Sequence, residues 1–180
     1  SKEEAEALKQ EIEDTWPVGP RQGNAYTAVQ ETQFAGMKAV ALTENGELKG
    51  IASIDTPTLR TNFLTGEEYY SRSSMSIYHL ATKERGYGRA IMEAIISHAA
   101  TNGWEVAWNA TEGSEGFYRA IGFEPSFGRT FIVSAKEAKE WTLSHKSLKT
   151  DPNDPSYQLE PESGVFTEGA LPPQTPDKKG

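Results

Sequence analysis

The chain has 180 residues, no cysteine and a formal net charge of -8 at pH 7. This length allows one domain with a hydrophobic core, and the lack of cysteine excludes disulfides, thiolate metal sites and cysteine nucleophiles. The acidic balance argues against nucleic acid as the main partner and favours a cationic substrate such as an amine.

Nothing in the sequence indicates a bound metal, a membrane span or a secretory leader. The three histidines are scattered along the chain, so we expect no histidine-based metal site. No stretch approaches about 18 consecutive apolar residues, the length that a transmembrane helix needs. No apolar leader follows Ser1, and we therefore expect a cytoplasmic protein that does not enter a membrane.

Residues 1–36 are predicted to form an N-terminal helix and a loop. Residues 1–15 are rich in helix formers and acidic side chains, which predicts a solvated amphipathic helix whose carboxylates are also able to attract a basic substrate. Pro17 ends this helix, residues 20–24 are predicted as a loop, and residues 26–34 form a weak helical segment. The apolar stripe of the helix consists of Ala5, Leu8 and Ile12.

Two strands joined by a tight turn follow. Residues 37–43 and 48–55 contain small and β-branched residues, and the Asn45-Gly46 pair between them is a strong hairpin signal. Residues 56–74 then form a connection long enough to be either functional or disordered. Its aromatic residues either line an acceptor site or partner surface, or pack on the edge of the domain; they are Phe63, Tyr69 and Tyr70.

A strand, a glycine-containing turn and a helix come next. Residues 76–81 form a short apolar stretch that indicates a buried strand. The turn contains Gly86 and Gly88 between Arg85 and Arg89. Glycine lets a backbone approach a phosphate closely, and the first turn of a helix offers unpaired N–H groups and partial positive charge. The turn is therefore a candidate anion cradle, although it is neither a P-loop nor a dinucleotide fingerprint.

The next predicted elements alternate between strand and helix. They are a helix end at Asn102-Gly103, a strand over 106–111, a helix over 114–121 and a strand over 129–133. Ser134 and Glu137 form a capping box that opens a further helix through about Trp141 or beyond. Residues 141–148 fit either a helix or a strand.

Residues 149–180 are predicted to be a proline-rich extended tail without a core of its own. Six of the ten prolines of the chain lie here, among Asp, Ser, Gly and Thr. Isolated apolar residues, Val165 and Phe166 among them, could attach this tail to its own domain or to a partner protein.

The two strand–turn–helix segments together resemble the GNAT family of acetyl-coenzyme A-dependent N-acetyltransferases. That family carries an Arg/Gln-x-x-Gly-x-Gly/Ala turn after its fourth strand, and residues 85–90 here read Arg-Gly-Tyr-Gly-Arg-Ala. A second register, residues 83–88, fits less well at its first position. A Tyr-x-x-x-Gly-Phe helix end is the family's other mark, and residues 118–123 match it. The resemblance covers residues 37–133.

This resemblance implies an α/β (α+β) fold. The expected architecture is a GNAT-like mixed, mostly antiparallel central sheet flanked by helices, with a parallel strand pair that splays at the cofactor cleft. Residues 37–148 would form this acetyltransferase core. In the family, two helices normally lie between the first and second strands and help to form the acceptor site. Because residues 1–36 offer one clear helix and a weak segment, the acceptor side is expected to be reduced or rebuilt.

The resemblance also implies transfer of an acetyl group from acetyl-coenzyme A to an amine of a small molecule or protein, by direct attack in a ternary complex. Backbone N–H groups from Gly86 to Ala90 would hold the pyrophosphate. The N–H of Leu80 would donate to the thioester oxygen, an interaction able to contribute about 3 kcal/mol. Thr111 stands where relatives often carry an asparagine. The implied cofactor-binding residues are Leu80, Thr82, Arg85, Gly86, Tyr87, Gly88, Arg89, Ala90 and Thr111.

Two proton-transfer residues are expected. Tyr118 is the implied general acid for the departing thiolate, since a phenol with a pKa of about 10 still carries its proton at neutral pH. Many relatives place a glutamate on the fourth strand as base, but residues 71–83 contain no carboxylate. His79 is the residue of this strand whose chemistry suits a base; Tyr78, Glu112 or a water chain are the alternatives.

A different class of function competes with the enzyme. The missing carboxylate, the short acceptor side and the tail also fit a catalytically weak or inactive GNAT-fold protein that serves as a structural or binding component of a larger assembly. A cofactor cleft filled by side chains such as Tyr87 would favour this alternative. An open cleft between the strands at 76–81 and 106–111 would favour the enzyme.

Overall fold

The chain folds around a six-stranded mixed sheet. The computed structural model describes residues 2–34, 37–145 and 162–166. In chain order its elements are α1 (Lys2–Thr15), α2 (Pro20–Phe34), β1 (Lys38–Glu44), β2 (Glu47–Asp55), β3 (Leu59–Thr61), β4 (Glu68–Tyr70), β5 (Ser74–Thr82), α3 (Gly88–Asn102), β6 (Glu105–Asn109), α4 (Glu115–Ala120), β7 (Thr130–Val133), α5 (Ala135–His145) and β8 (Glu162–Phe166). The sheet order is β7-β6-β5-β2-β1-β8, and every neighbouring pair is antiparallel except β5 with β6. The predicted mixed sheet with one parallel pair is confirmed.

Helices cover both faces of this sheet. Successive side chains of a strand point to opposite faces, and in β1 Ala39 and Ala41 enter one core while Val40 and Leu42 enter the other. The first core lies beneath α1 and α2, and we call this side the α1–α2 face. The second lies beneath α3, α4 and α5, and we call it the α3–α5 face.

The N-terminal region contains two helices, so the loop predicted over residues 20–24 is wrong. Proline is compatible with the first position of a helix, because its missing N–H would have no intrahelical partner there. The Gln22 side chain donates to the backbone carbonyls of Ile12 and Trp16, each at 3.3 Å, and so links the start of α2 to the end of α1. Two helices therefore precede β1, and the second includes the weak helical segment predicted over residues 26–34.

Helix α1 packs as its apolar pattern predicts. Ala5, Leu8 and Ile12 are buried on the α1–α2 face. One acidic side chain of the helix has a structural role, because Glu11 Oε2 accepts a hydrogen bond of 2.7 Å from the backbone N–H of Leu48 in β2. This bond fixes α1 on the sheet at the β1–β2 turn.

The hairpin between β1 and β2 has the geometry that its sequence predicts. Asn45 and Gly46 both have positive φ, 53° and 79°, which is the backbone of a type I′ turn. The long connection after β2 is partly ordered as the β3–β4 hairpin. Tyr70 packs edge-on against Trp104, with ring centroids 5.6 Å apart, whereas Phe63 at the hairpin tip is fully exposed. One aromatic residue of this connection thus anchors it, and another faces solvent.

In the C-terminal half of the chain, α3 ends where the sequence predicts, α5 extends through residues that were left open, and one strand was not predicted. Gly103 ends α3 with a left-handed φ of 73°, and α5 continues to His145, so residues 141–145 are helical and 146–148 lie outside the described residues. Strand β8 pairs with the edge of β1, from Ala39 with Phe166 to Thr43 with Glu162. This part of the predicted tail is attached to its own sheet; the other residues of 149–180 lie outside the described residues. No helix within the described ranges is long and apolar enough to cross a bilayer.

Candidate functional site

The parallel strands β5 and β6 separate at one end of the sheet. Their ladder runs from Ser74–Glu105 to Ile77–Trp108 and has no further pair, although β5 continues along β2 to Thr82. The unpaired side of β5 from residue 78 onward is the splayed edge that the resemblance predicts. Backbone groups on such an edge are free to bind a ligand.

A bulge at Tyr78 determines which way the following side chains point. The consecutive pairs Ile54–Ile77 and Ser53–His79 leave Tyr78 as an extra residue in β5. As a result Ile77 belongs to the core of the α3–α5 face, whereas Ala81 belongs to the core of the α1–α2 face. The bulge therefore directs His79 towards α2.

The predicted anion cradle lies directly beyond the end of β5. Gly86 has a φ of +101°, which glycine adopts without strain. Helix α3 begins at Gly88. The side chain of its N-cap residue, Tyr87, makes no capping hydrogen bond, and the first turn contains no acidic residue. The first N–H groups of α3 are therefore available, together with the partial positive charge of the helix end. Arg85 and Arg89 are exposed beside them.

An aromatic ring that the sequence did not point to lies over this cradle. A Cβ atom at Gly88 would lie 2.7 Å from Cζ of Phe117, the third residue of α4. Gly88 is thus required for the packing of this ring, in addition to any role in binding a phosphate. The Tyr-x-x-x-Gly-Phe motif begins one residue later, and for that reason it drew no attention to Phe117.

Acidic side chains near the cradle are paired with lysine or tyrosine. Glu84 binds Lys49 Nζ at 3.0 Å, and this hydrogen bond lowers the pKa of Glu84 and raises that of Lys49. Tyr87 donates to Glu44 Oε1 at 2.6 Å, and burial followed by this bond raises the tyrosine pKa. The Tyr87 hydroxyl is thereby directed to the end of β1. The paired lysine offsets negative charge that would otherwise repel an anionic ligand.

Two other predicted cofactor residues already have protein partners. The guanidinium of Arg21, at the start of α2, donates to Thr82 O at 3.3 Å and to Thr82 Oγ1 at 3.2 Å. The Thr111 hydroxyl donates to Ser114 Oγ at 3.1 Å, just before α4. The structure thus places Leu80, Thr82 and residues 85–90 along β5, the turn after it and the start of α3. Thr111 lies between β6 and α4.

Tyr118 lies in an aromatic cluster on the α3–α5 face. It is 8% exposed, and its ring centroid lies 5.3 Å from those of Trp108 and Phe131 and 5.1 Å from that of Phe117. Burial raises the pKa of Tyr118 to about 12, because an apolar environment disfavours the phenolate. The phenol therefore keeps its proton throughout the neutral range.

His79 lies on the other face, in a hydrogen-bonded cluster with Glu31 and Ser53. Its Nδ1 is 2.8 Å from Glu31 Oε1. Ser53 donates to the same oxygen at 2.6 Å, and its Oγ accepts from the backbone N–H of His79 at 3.1 Å. Glu31 is thus a carboxylate next to the candidate base, supplied by α2 and not by β5. No pattern in the sequence indicated this carboxylate, because α2 has no strong apolar stripe and Glu31 lies 48 positions from His79.

A cavity of about 410 Å³ lies at the opposite end of the sheet. It is formed by the start of β1, the end of β2, the hairpin base and the C-terminal part of α3, and it contains none of the predicted cofactor or catalytic residues. Within the described residues no group of three or more His, Asp or Glu side chains is placed to hold a metal ion.

Comparison with known proteins relates this geometry to solved structures. Neither a protein-family model nor a curated protein matches the sequence. A mutant of the toxin AtaT, bound to the C-terminus of the antitoxin AtaR, matches with a TM-score of 0.53 and 13% identity over 71% of this chain and 86% of that one. A second structure, described as a bacterial toxin, matches with a TM-score of 0.51 and 17% identity over 74% and 92%.

A structure described as a putative acetyltransferase of the GNAT family from Desulfovibrio desulfuricans also matches, with a TM-score of 0.47 and 16% identity over 75% of this chain and 94% of that one. The described residues have the architecture that the resemblance implies, a mostly antiparallel sheet with one parallel pair and flanking helices. In this architecture β5 and β6 are the splayed pair, the residue 85–90 turn lies beyond the end of β5, and His79 and Tyr118 lie on opposite faces of the sheet.

Proposed function

We propose that the chain is an acyltransferase that moves an acetyl group from acetyl-coenzyme A to an amine. The observation that carries this proposal is the start of α3. Its N-cap residue Tyr87 makes no side-chain capping hydrogen bond, and its first turn has no acidic residue. It follows a glycine turn at the end of the splayed strand. Such a helix end binds phosphate through backbone N–H groups and the helix dipole.

The residues at this turn fit the pyrophosphate of coenzyme A. The N–H groups from Gly86 to Ala90 would hold its oxygens, and Arg85 and Arg89 would add charged donors. The backbone N–H of Leu80, on the splayed strand, would donate to the acetyl oxygen, and Thr111 would contact the cofactor from the next segment. When bound, acetyl-coenzyme A supplies the acetyl group as a thioester.

Two side chains would then transfer protons. His79 would accept a proton as the amine nitrogen forms its bond to the acetyl carbon, and Tyr118 would donate a proton to the sulfur as the carbon–sulfur bond breaks. A tyrosine whose pKa is raised to about 12 keeps a proton to donate at pH 7. The two residues are on opposite faces of the sheet. The acceptor amine would therefore lose its proton on one side, and the departing thiolate would receive its proton from the other.

The acceptor is proposed to be an amine of a small molecule or a protein. The formal net charge of -8 favours a cationic acceptor. Helix α2, of which only residues 26–34 were predicted as a weak helical segment, gives this side of the sheet a second covering helix and brings Glu31 to His79. An acceptor site between α2 and β5 is consistent with both features.

A binding component with a GNAT fold is the second candidate function. The position of Phe117 on Gly88 favours it, because this ring occupies space next to the first N–H groups of α3. The AtaT structure contains a bound segment of another protein, and a partner of this chain is accordingly a candidate ligand, with the tail over residues 149–180 as a candidate contact.

A calorimetric titration of acetyl-coenzyme A into the full chain tests the two candidates. The enzyme predicts saturable binding with a micromolar dissociation constant, followed by release of free thiol when an amine acceptor is added. The chain has no cysteine, so a thiol assay has no protein background. Absence of binding at millimolar cofactor would contradict the enzyme and favour the binding component.

A further inference from the structure

We propose that Glu31 is a positioning residue that fixes the tautomer of His79, with the proton on Nδ1 and the lone pair of Nε2 free to accept a proton. The catalytic part of this inference rests on the proposed acetyl transfer. The tautomer itself follows from the hydrogen-bond geometry of three residues, Glu31, Ser53 and His79, which belong to three different elements.

The direction of each bond can be assigned in order. The backbone N–H of His79 can only donate, so Ser53 Oγ is the acceptor in their 3.1 Å contact. The Ser53 hydroxyl proton is then directed to Glu31 Oε1, 2.6 Å away. That oxygen already receives one proton, so it also accepts at its 2.8 Å contact with His79 Nδ1. An ionised carboxylate has the lone pairs for both bonds.

This assignment leaves Nε2 of a neutral His79 without a proton. The His79 side chain is 37% exposed, so a ligand has access to the ring. When Nε2 accepts a proton from an amine, the ring becomes an imidazolium 2.8 Å from the Glu31 carboxylate, and this new ion pair is stabilised by their opposite charges. Glu31 would therefore lie next to the positive charge that forms on the ring as the reaction proceeds.

Ser53 makes the arrangement rigid. Its side chain is fully buried, and it connects the backbone at the β5 bulge to the Glu31 carboxylate. Three charged side chains near β5 have partners other than Glu31 and His79: Arg21 binds Thr82, Lys49 binds Glu84, and Arg72 binds Asp55. Glu31 is thus the carboxylate that holds the His79 ring.

Nitrogen-15 NMR of histidine-labelled full-length protein tests the tautomer without any assay of activity. At a pH where His79 is neutral, the native protein should show a protonated Nδ1 and an unprotonated Nε2. Glu31→Ala should shift the proton towards Nε2, since the acceptor at Nδ1 is lost. Gln30→Ala, the neighbouring substitution on the same helix, should leave the His79 signals unchanged. A native Nε2–H tautomer, or an unchanged tautomer in Glu31→Ala, would overturn the proposal.

Kinetics of the same variants test the catalytic part. Glu31→Gln keeps an acceptor oxygen for Nδ1 but removes the charge, so it should retain the tautomer while kcat falls roughly 10- to 100-fold, the usual effect of losing such a supporting partner. The KM for acetyl-coenzyme A should be unchanged. An unaltered kcat in both Glu31 variants would overturn the catalytic part. If even the native chain transfers no acetyl group, the proposed function fails, and the NMR result still decides the tautomer.

Discussion

Helices α3 and α5 begin in opposite ways. At α5, Glu137 N–H donates to Ser134 Oγ at 3.1 Å, and Ser134 N–H donates to Glu137 Oε1 at 3.0 Å, so the helix satisfies its own first donors. At α3, the residue before the helix is Tyr87, which provides no side-chain cap, and the first turn has no carboxylate. Both helices pack on the same face of the sheet.

This difference separates a structural helix end from a candidate binding end. A capping box satisfies two backbone donors within the chain and so leaves fewer of them for a ligand. An uncapped end preceded by glycines keeps those donors and the dipole available for an anion. The pairing of Glu84 with Lys49 beside α3 has the same effect, because it limits negative charge near the cradle. Four predictions follow the comparison, from the largest expected effect to the smallest.

The substitution Gly88→Glu is expected to have the largest effect, on the affinity for coenzyme A. Gly88→Glu puts a negative charge at the cradle and forces the Phe117 ring to move, since a Cβ there would lie 2.7 Å from it. We expect coenzyme A binding to be abolished, because like charges placed together at an interface cost several kcal/mol and the displaced ring adds steric conflict. Calorimetric titration measures this change.

The control introduces a carboxylate at the start of the other helix and makes the net charge more negative than Gly88→Glu does. Lys136→Glu introduces a carboxylate in the first turn of α5, at an exposed position. It should leave coenzyme A affinity unchanged. Equal losses from the two substitutions would mean that net charge, and not the α3 terminus, governs binding. Unchanged affinity in Gly88→Glu would show that the cradle is not at this turn.

Removal of the Tyr118 hydroxyl should separate binding at the α3 end from chemistry. Tyr118→Phe removes the proposed acid and keeps the ring among Trp108, Phe117 and Phe131. We expect kcat to fall roughly 10²- to 10⁴-fold, the usual contribution of a general acid, with cofactor affinity nearly unchanged. Thiol release under saturating substrates measures kcat. Undiminished turnover would leave Tyr118 with a packing role alone.

The effect of pH on the kcat of the same reaction is expected to be smaller than the effect of Tyr118→Phe. An acid must be protonated to act, and burial raises the pKa of Tyr118 to about 12. Turnover should therefore persist as the pH rises past 10, where a phenol with the ordinary pKa of about 10 would be half deprotonated. Measurement of kcat from pH 7 to 10.5 checks this. A loss of turnover centred near pH 10 would contradict a buried acid.

The capping box of α5 should affect stability and not binding. Ser134→Ala removes the hydroxyl that accepts from the Glu137 N–H, and we expect the free energy of unfolding to fall by about 1 kcal/mol. Thermal unfolding should show a Tm lowered by roughly 2–4 °C. Lys139→Ala, at an exposed position of the same helix, is the control. Loss of coenzyme A affinity in Ser134→Ala would break the distinction between the two helix ends.

Local signals in the sequence predicted much of this fold. Asn45-Gly46 indicated the β1–β2 turn, and both residues have the required positive φ. Gly103 indicated the end of α3, and Ser134 with Glu137 indicated the start of α5. Each signal acts over fewer than five residues, because it depends on backbone conformation or on a bond between near neighbours.

Helix α2 shows where local signals were insufficient. Its alanines, glycine and threonines form no strong apolar stripe, and the predicted loop over 20–24 followed from Pro20 and Gly23. The helix is stabilised by tertiary burial of Ala25, Ala28 and Val29 on the sheet. Most helix stability in proteins comes from such packing and not from intrinsic propensity.

The sequence by itself determined the strand–turn–helix pattern, the glycines of the cradle and the motif that contains Tyr118. The tertiary structure alone decided that Phe117 covers Gly88 and that Glu31 and Ser53 hold His79. The reason is physical. A turn or a cap is fixed by backbone geometry within one segment, whereas Glu31 and His79 are 48 positions apart and meet only because α2 packs over the bulge in β5.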